Sequence, residues 1–276
     1  MVSRPAPRRP RVPIRLEVLR AEPLTPHLQR LVLGGPGFAA FAEKWNGFTD
    51  SYVKLLFLPD GGTPERDEGQ PVAEGAVTRT YTVRWFDPAA RELAIDFVVH
   101  GDEGLAGPWA RDAGPGDTID LLGPGGAYSP RPEADWHLVA GDEAALPAAL
   151  AALEALPAGA RAHAFLEVDG PNDQLKVETA GDVTVTWLHR EGAPAGSTTL
   201  VADAVKALDW PAGRAHVFVH GEAGLLKALR AFLLRERGVE RELLSLSGYW
   251  RRGDDEQGFR VWKRRQAQEQ AAAPPS

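Results

Sequence analysis

The chain contains no cysteine, and that one absence removes disulfides, iron-sulfur clusters, CxxCH haem attachment and thiolate zinc sites together. Any redox chemistry must then come from a bound organic cofactor or from a metal held by nitrogen and oxygen. The seven histidines are scattered, with no HExxH motif and no tight pair. No apolar run reaches the ~18 to 20 residues that a membrane span needs. Neither GxGxxG nor GxxxxGK[ST] occurs, which excludes a standard dinucleotide fingerprint and a P-loop kinase. Positive charge is also in deficit: 31 Lys and Arg stand against 38 Asp and Glu, a net charge of -7. Non-specific nucleic-acid binding needs a basic field to displace counterions, so that class is excluded too. An anionic ligand would require a local basic pocket.

What is present suits a two-domain protein. The 276 residues exceed the size at which single cores split, and 43% of them are hydrophobic. The basic arm from Arg4 to Arg15 carries four prolines and reads as a disordered leader, assigned to residues 1–11. Pro10, Arg11 and Pro13 fall where a secretory signal would place its apolar core, so a cytoplasmic protein is expected. A tail over 254–276 starts charged and can extend a helix through Trp262 to Gln270, before Pro274 and Pro275 stop it. No function is assigned to it. A monomer is the expected state.

The first half reads as short strands divided by turns. Ile14 to Arg20, Leu28 to Leu33 and Val53 to Leu58 are β-like runs, and the loop Pro59 to Gly75 is rich in Gly, Pro and acids. The clearest pair follows. Arg79, Tyr81, Val83 and Trp85 alternate on one face, Asp87-Pro88 marks a turn, and Leu93, Ile95, Phe97 and Val99 alternate on the return. With Ile119 to Leu122 this makes about six strands, which predicts a closed antiparallel β-barrel over 12–130. From residue 134 to 253 strands and helices alternate: Trp136 to Ala140, a helix from Gly141-Asp142-Glu143 with Leu146, Leu150, Leu153 and Leu156 at helical spacing, then strands at Ala162 to Val168, Val183 to Leu188, His216 to Val219 and Leu243 to Ser247. Helices at Thr198 to Leu208 and Glu222 to Arg237 separate the later strands. This is the pattern of a parallel-sheet α/β domain, whose ligands lie at the carboxyl ends of the strands, near Gly141 and Gly221.

The run Arg79-Thr80-Tyr81-Thr82 places a cation, an aromatic ring and a hydroxyl within four residues of one strand. An isoalloxazine ring needs a flat apolar surface, a donor near N5 and a cation for its pyrophosphate, so this peptide points to a flavin. Strict alternation puts Thr82 on the face opposite Arg79 and Tyr81. Either the strand bends there or Thr82 acts through its backbone.

The motifs taken together resemble the siderophore-interacting protein family, FAD-linked reductases of ferric siderophores related in fold to ferredoxin-NADP reductase. The matching segments are Tyr52-Val53-Lys54-Leu55-Leu56, Arg79-Thr80-Tyr81-Thr82, His100-Gly101, Trp109-Ala110, Pro115-Gly116-Asp117, Gly141-Asp142-Glu143, Trp187-Leu188-His189-Arg190 and Gly248-Tyr249-Trp250-Arg251-Arg252-Gly253. The resemblance implies an FAD-binding barrel followed by an NADPH- or NADH-binding domain. It implies that Tyr81 lies against the flavin, that Arg79 pairs with the pyrophosphate and Thr82 approaches N5, and that Asp96, Val98 and His100 lie beside the cofactor. Leu105, Ala106, Gly107 and Trp109 match its phosphate-binding turn. There the family usually has Ser or Thr in place of Gly107, and losing that hydrogen bond costs about 1 kcal/mol. In the second domain Asp142, Glu143, Gly221 and Glu222 match turns near the nicotinamide nucleotide, with Ala144 and His220 as departures, and Arg190 matches a residue able to meet a 2′-phosphate. Lys54, Arg251 and Arg252 match the basic residues that hold the ferric siderophore. A third basic position is occupied by Gly125, and Arg131 is the candidate to compensate. The implied activity carries electrons from NAD(P)H through FAD to siderophore-bound Fe(III), without a protein metal ligand. A ferric-siderophore carrier without turnover, a general flavin reductase and a ferredoxin-fed reductase are the alternatives.

Overall fold

The computed structural model describes residues 12–65, 69–72 and 74–272, with side chains described as far as residue 266. The expected leader over 1–11 lies outside the described residues. The chain divides into two compact units. One holds the chain as far as Glu22, Gln29–Asn46 and Tyr52–Gly125; the other holds Pro23–Leu28, Gly47–Ser51 and the chain from Gly126 onward.

The first unit is built on β1 (Ile14–Thr25) and β2 (Leu28–Gly34), whose joined ends at Pro23–Leu28 fall in the other unit, with α1 (Phe38–Ala42), β3 (Tyr52–Phe57), β4 (Val77–Asp87), β5 (Glu92–Val98), α2 (Ala106–Asp112) and β6 (Thr118–Gly125). Its strands close into a barrel in the order β1-β2-β5-β4-β3-β6, the six-stranded antiparallel barrel that the alternation predicts. Closure is made by β1 against β6, where Arg15 stands opposite Asp120. Arg15 donates to both carboxylate oxygens at 3.0 Å, so this residue of the basic arm belongs to the barrel wall. Inward positions Leu16, Val18, Leu31, Leu33, Val53, Leu55, Phe57, Ile95, Phe97 and Leu121 form one core, as two-residue periodicity requires.

The β4–β5 hairpin departs from the predicted alternation at one place. Val83 pairs with Ile95 but Trp85 pairs with Ala94, so β4 carries an irregularity at Arg84. An extra residue there reverses which side chains face inward beyond it. Phe86, opposite Leu93, takes the inward place predicted for Trp85 and stacks on Trp45 at 4.6 Å and Phe38 at 5.3 Å. The turn itself follows from Asp87, whose Oδ1 accepts from the backbone of Ala89 and Ala90 at 2.8 and 3.0 Å.

The second unit contains β7 (Trp136–Gly141), α3 (Leu146–Glu154), β8 (Arg161–Val168), β9 (Asp182–His189), α4 (Leu200–Ala207), β10 (Ala215–Glu222), α5 (Ala223–Ala231), β11 (Leu244–Trp250) and α6 (Glu256–Ala272). The five strands pair in parallel, in the order β11-β10-β7-β8-β9. Each face of the sheet has its own core. Leu138, Ala140, Val217 and Val219 pack with Val201, Val205 and Leu229 of α4 and α5, while Val139, Ala164 and Leu166 pack with Leu146, Ala149 and Leu153 of α3. Helices on both faces explain why these strands read as continuous apolar runs. The strand order reverses between β7 and β10, the position at which sheets of this kind take a nucleotide. Among the described residues no helix is long and apolar enough to cross a membrane.

Candidate functional site

Strands β3 and β4 bring the predicted barrel residues together. Val53 stands opposite Tyr81, Lys54 opposite Thr80, Leu55 opposite Arg79 and Tyr52 opposite Thr82. Directly opposed residues share a face, so Arg79 and Tyr81 lie on the side of buried Val53 and Leu55, and Lys54, Tyr52 and Thr82 lie on the other. The half-buried Tyr81 ring rests on Phe97, centroids 4.5 Å apart and tilted by 37°. Arg79 is half-buried and donates to Thr78 O at 2.9 Å. The strand keeps its alternation through Thr82, because the irregularity falls after Val83. Thr82 therefore shares the Tyr81 side only through its backbone.

Other predicted barrel residues have structural duties. Asp96 is fully buried and both its oxygens accept from Arg30, at 2.6 and 2.8 Å, with Arg84 4.0 Å away. Its side chain ties β2, β5 and β4 together, so a ligand contact at this position is left to the backbone. His100 is exposed just beyond β5. The turn into α2 begins at Gly104, with φ +84°. Leu105 and Ala106 then pack on the barrel core, and Trp109 stands edge-on to Phe57 at 5.7 Å and Phe97 at 5.9 Å. Gly107 has a steric reason: a Cβ there would lie 3.1 Å from Val98 O. The hydroxyl residue of the family pattern has no room without a shift of β5.

A cleft of about 620 Å³ opens on the barrel beside Lys54. Lys44, Tyr52, Leu122, Pro124 and Gly125 also bound it. Neither lysine faces a carboxylate within ion-pair range among the described residues. Tyr52 is 38% exposed, and its ring lies over Gly125 so closely that a Cβ at 125 would come within 2.6 Å of it. The Tyr52 ring therefore fills the space that a side chain at position 125 would enter. Sequence reasoning missed Lys44, which follows α1 outside every motif and shares the cleft with Lys54. Arg131, the expected compensating cation, belongs to the sheet unit, where it lies 3.9 Å from Glu133.

At the carboxyl end of β7, Asp142 is buried. Its Oδ2 accepts from the backbone N of Glu222 and from Trp250 Nε1, both at 2.8 Å, and its Oδ1 accepts from Ala145 N at 3.3 Å. Burial pushes this carboxyl up to about 6, against the pull of those hydrogen bonds. Gly221, at φ +133°, is glycine because a Cβ would lie 2.7 Å from that carboxylate. Glu222 accepts from Gly224 N, and from Arg252 N at 3.2 Å. These side chains lock the ends of β7, β10 and β11 to one another. Beside them His220, which sequence reasoning noted only as a replacement for Ala, is fully buried on Phe218, with Nδ1 3.0 Å from Tyr249 Oη and Nε2 2.8 Å from Ser245 Oγ. Burial holds its imidazole neutral, down to about 3. Arg251 pairs with Asp254 at 3.0 Å and lies over the Trp262 ring, while the Arg252 side chain is exposed.

Arg190 departs from its expected role as a free phosphate ligand. The side chain is 7% exposed and ringed by three carboxylates: Glu143 at 2.9 Å, Asp169 at 3.6 Å and Glu167 at 3.9 Å. Glu143 also accepts from Asp169 N at 3.0 Å. The guanidinium is neutralised in place.

Two family models match the chain. The siderophore-interacting FAD-binding domain covers residues 17–128, and the siderophore-interacting protein model covers 134–253. An uncharacterized protein of Mycobacterium tuberculosis is 46% identical, with 92% of this chain and 96% of that protein covered. The ferric vibriobactin reductase ViuB of Vibrio cholerae is 34% identical, with 88% and 91% covered. Among solved structures, a siderophore utilization protein from T. fusca aligns with a TM-score of 0.78 and 40% identity, over 88% of this chain and 94% of that one. The chain belongs to the siderophore-interacting protein family.

Proposed function

We propose that the chain is an FAD-dependent ferric-siderophore reductase that draws electrons from NAD(P)H and releases the iron as Fe(II). The observation that carries this reading is the β3–β4 register, which sets Arg79 and Tyr81 on one strand and Lys54, opposite Thr80, on its partner. A candidate flavin platform and a basic cleft thus share two paired strands.

The donor set fits FAD. Tyr81 presents a ring backed by Phe97, Arg79 supplies a cation, and the open turn at Gly104 leads into the first turn of α2. Arg79, Tyr81, the backbone at Thr82 and Val98, and the turn from Leu105 to Trp109 would hold the cofactor. When bound, FAD accepts electrons in pairs from a nicotinamide and passes them singly, as Fe(III) requires. The chain's own part is positioning. Lys44 and Lys54 draw an anionic ferric complex into the cleft and orient it by charge, and Tyr52 offers it an aromatic edge. Hard anionic oxygens hold Fe(III) far better than Fe(II), so reduction releases the iron without a protein ligand. The ViuB relative, named as a reductase of a ferric siderophore, supports the same chemistry for this chain.

The test is cofactor retention. Protein carrying Arg79→Ala with Tyr81→Ala is expected to purify colourless while keeping the wild-type circular dichroism spectrum. Full retention of yellow flavin by that variant refutes the site.

A further inference from the structure

We infer that Asp169 determines the donor's specificity, making NADH rather than NADPH the nicotinamide that this sheet accepts. The inference rests on the reductase reading above and concerns its electron donor. In a sheet ordered β9-β8-β7-β10-β11, the adenosine ribose of a dinucleotide lies off the carboxyl end of the strand next to the first one, where an acid suits a ribose diol and an unpaired Arg suits a 2′-phosphate. That strand is β8, which ends at Val168. Asp169 follows it directly, with 30% of its side chain exposed.

The surrounding chemistry favours a neutral hydroxyl over a phosphate. Arg190 is already surrounded by Glu143, Glu167 and Asp169, so three carboxylates face one guanidinium. Glu167 is fixed further by the Thr198 hydroxyl at 2.5 Å, and Arg190 Nε donates to Ala193 O at 3.3 Å. Only Nη1 of this nine-tenths-buried side chain lacks a hydrogen-bond partner among the described residues. A ribose hydroxyl can donate to the exposed part of the Asp169 carboxylate, while Arg190 Nη1 stays buried behind it. A 2′-phosphate would instead bring two more negative charges beside Glu143, Glu167 and Asp169, which already outnumber the one guanidinium among them. Of the other basic groups of this edge, His189 lies 2.8 Å from the Gln174 amide, and Lys176 is 82% exposed beside Glu178.

The experiment measures binding of ADP-ribose and of its 2′-phosphorylated form to the full chain by calorimetry, a readout that does not depend on flavin turnover. The unphosphorylated ligand is expected to bind at least about tenfold more tightly, and Asp169→Asn to narrow that ratio by weakening the first and strengthening the second. Equal or tighter binding of the phosphorylated form, or failure of ADP-ribose to bind at all, overturns the inference. Reoxidation of dithionite-reduced flavin by a ferric siderophore needs no nicotinamide. It reports on the reductase reading alone, so each can fail without the other.

Discussion

Trp250 Nε1 donates to Asp142 Oδ2 at 2.8 Å, joining the last residue of β11 to the first residue after β7. The same oxygen accepts from Glu222 N, so one buried carboxylate fixes the carboxyl ends of three adjacent strands, β7, β10 and β11. An indole-to-carboxylate hydrogen bond in such a setting is worth about 1.5 to 3 kcal/mol.

Trp250→Phe should therefore destabilise the protein by about 1.5 to 3 kcal/mol, read from urea unfolding at neutral pH. It should also change the pH dependence. The folded carboxyl sits at about 6 against an ordinary value of 3.8, so between those values the native state holds a proton that the unfolded state has lost. The contribution of Asp142 to stability thus falls as pH rises from about 4 to about 6 and is flat above. Loss of the Trp250 donor should extend that fall to higher pH.

Acid should act oppositely through the buried imidazoles. His216 and His220 are held down to about 4 and about 3 by burial, against 6.5 when exposed. The unfolded state takes up protons first, so the stability they contribute is complete above about 6.5 and is lost as pH falls toward those values. His137 is lowered by burial as well, so three imidazoles stand against the raised carboxyls of Asp142 and Glu167, and melting temperature should drop between pH 6.5 and 4. His220→Gln should make that limb shallower; an unchanged slope contradicts the assignment.

Gly107→Ser tests whether crowding or a missing hydroxyl governs the α2 turn. With its Cβ 3.1 Å from Val98 O, serine should cost about 1 to 3 kcal/mol of stability and leave FAD no more tightly held. Denaturation together with FAD release, followed by fluorescence, separates this from tighter binding.

Lys44→Ala and Lys54→Ala should each raise KM for an anionic ferric siderophore by about three- to tenfold, with the effect shrinking as salt is added. Turnover with a neutral quinone should stay unchanged. Gly125→Arg should displace Tyr52 from its place over residue 125, which tyrosine fluorescence quenching in a variant without neighbouring tryptophans can report.

The fold was largely legible because its signals are local. Two-residue alternation marked β4 and β5, and the apolar runs alternating with helical spacing from Trp136 onward marked the parallel sheet. Period alone could not show the irregularity at Arg84, since no residue type announces it, and the inward place therefore passed from Trp85 to Phe86. The site was legible as motifs but less so as roles. Arg190 reads as a free cation in one dimension; its three carboxylates come from the β7–α3 connection and the end of β8, up to 47 residues away. Lys44 gave no signal, because only closure of β3 on β6 brings a cleft beside it. Gly125 was visible as a departure, but the Tyr52 ring that stands over it was not.

The most direct test of the reductase reading is an anaerobic titration followed by the flavin absorbance. Addition of NADH should bleach the yellow band, and a ferric siderophore added next should restore it while a ferrous chelator develops colour in proportion. Binding of the ferric siderophore without return of the flavin band, or without ferrous iron, would contradict the reading and leave a carrier in its place.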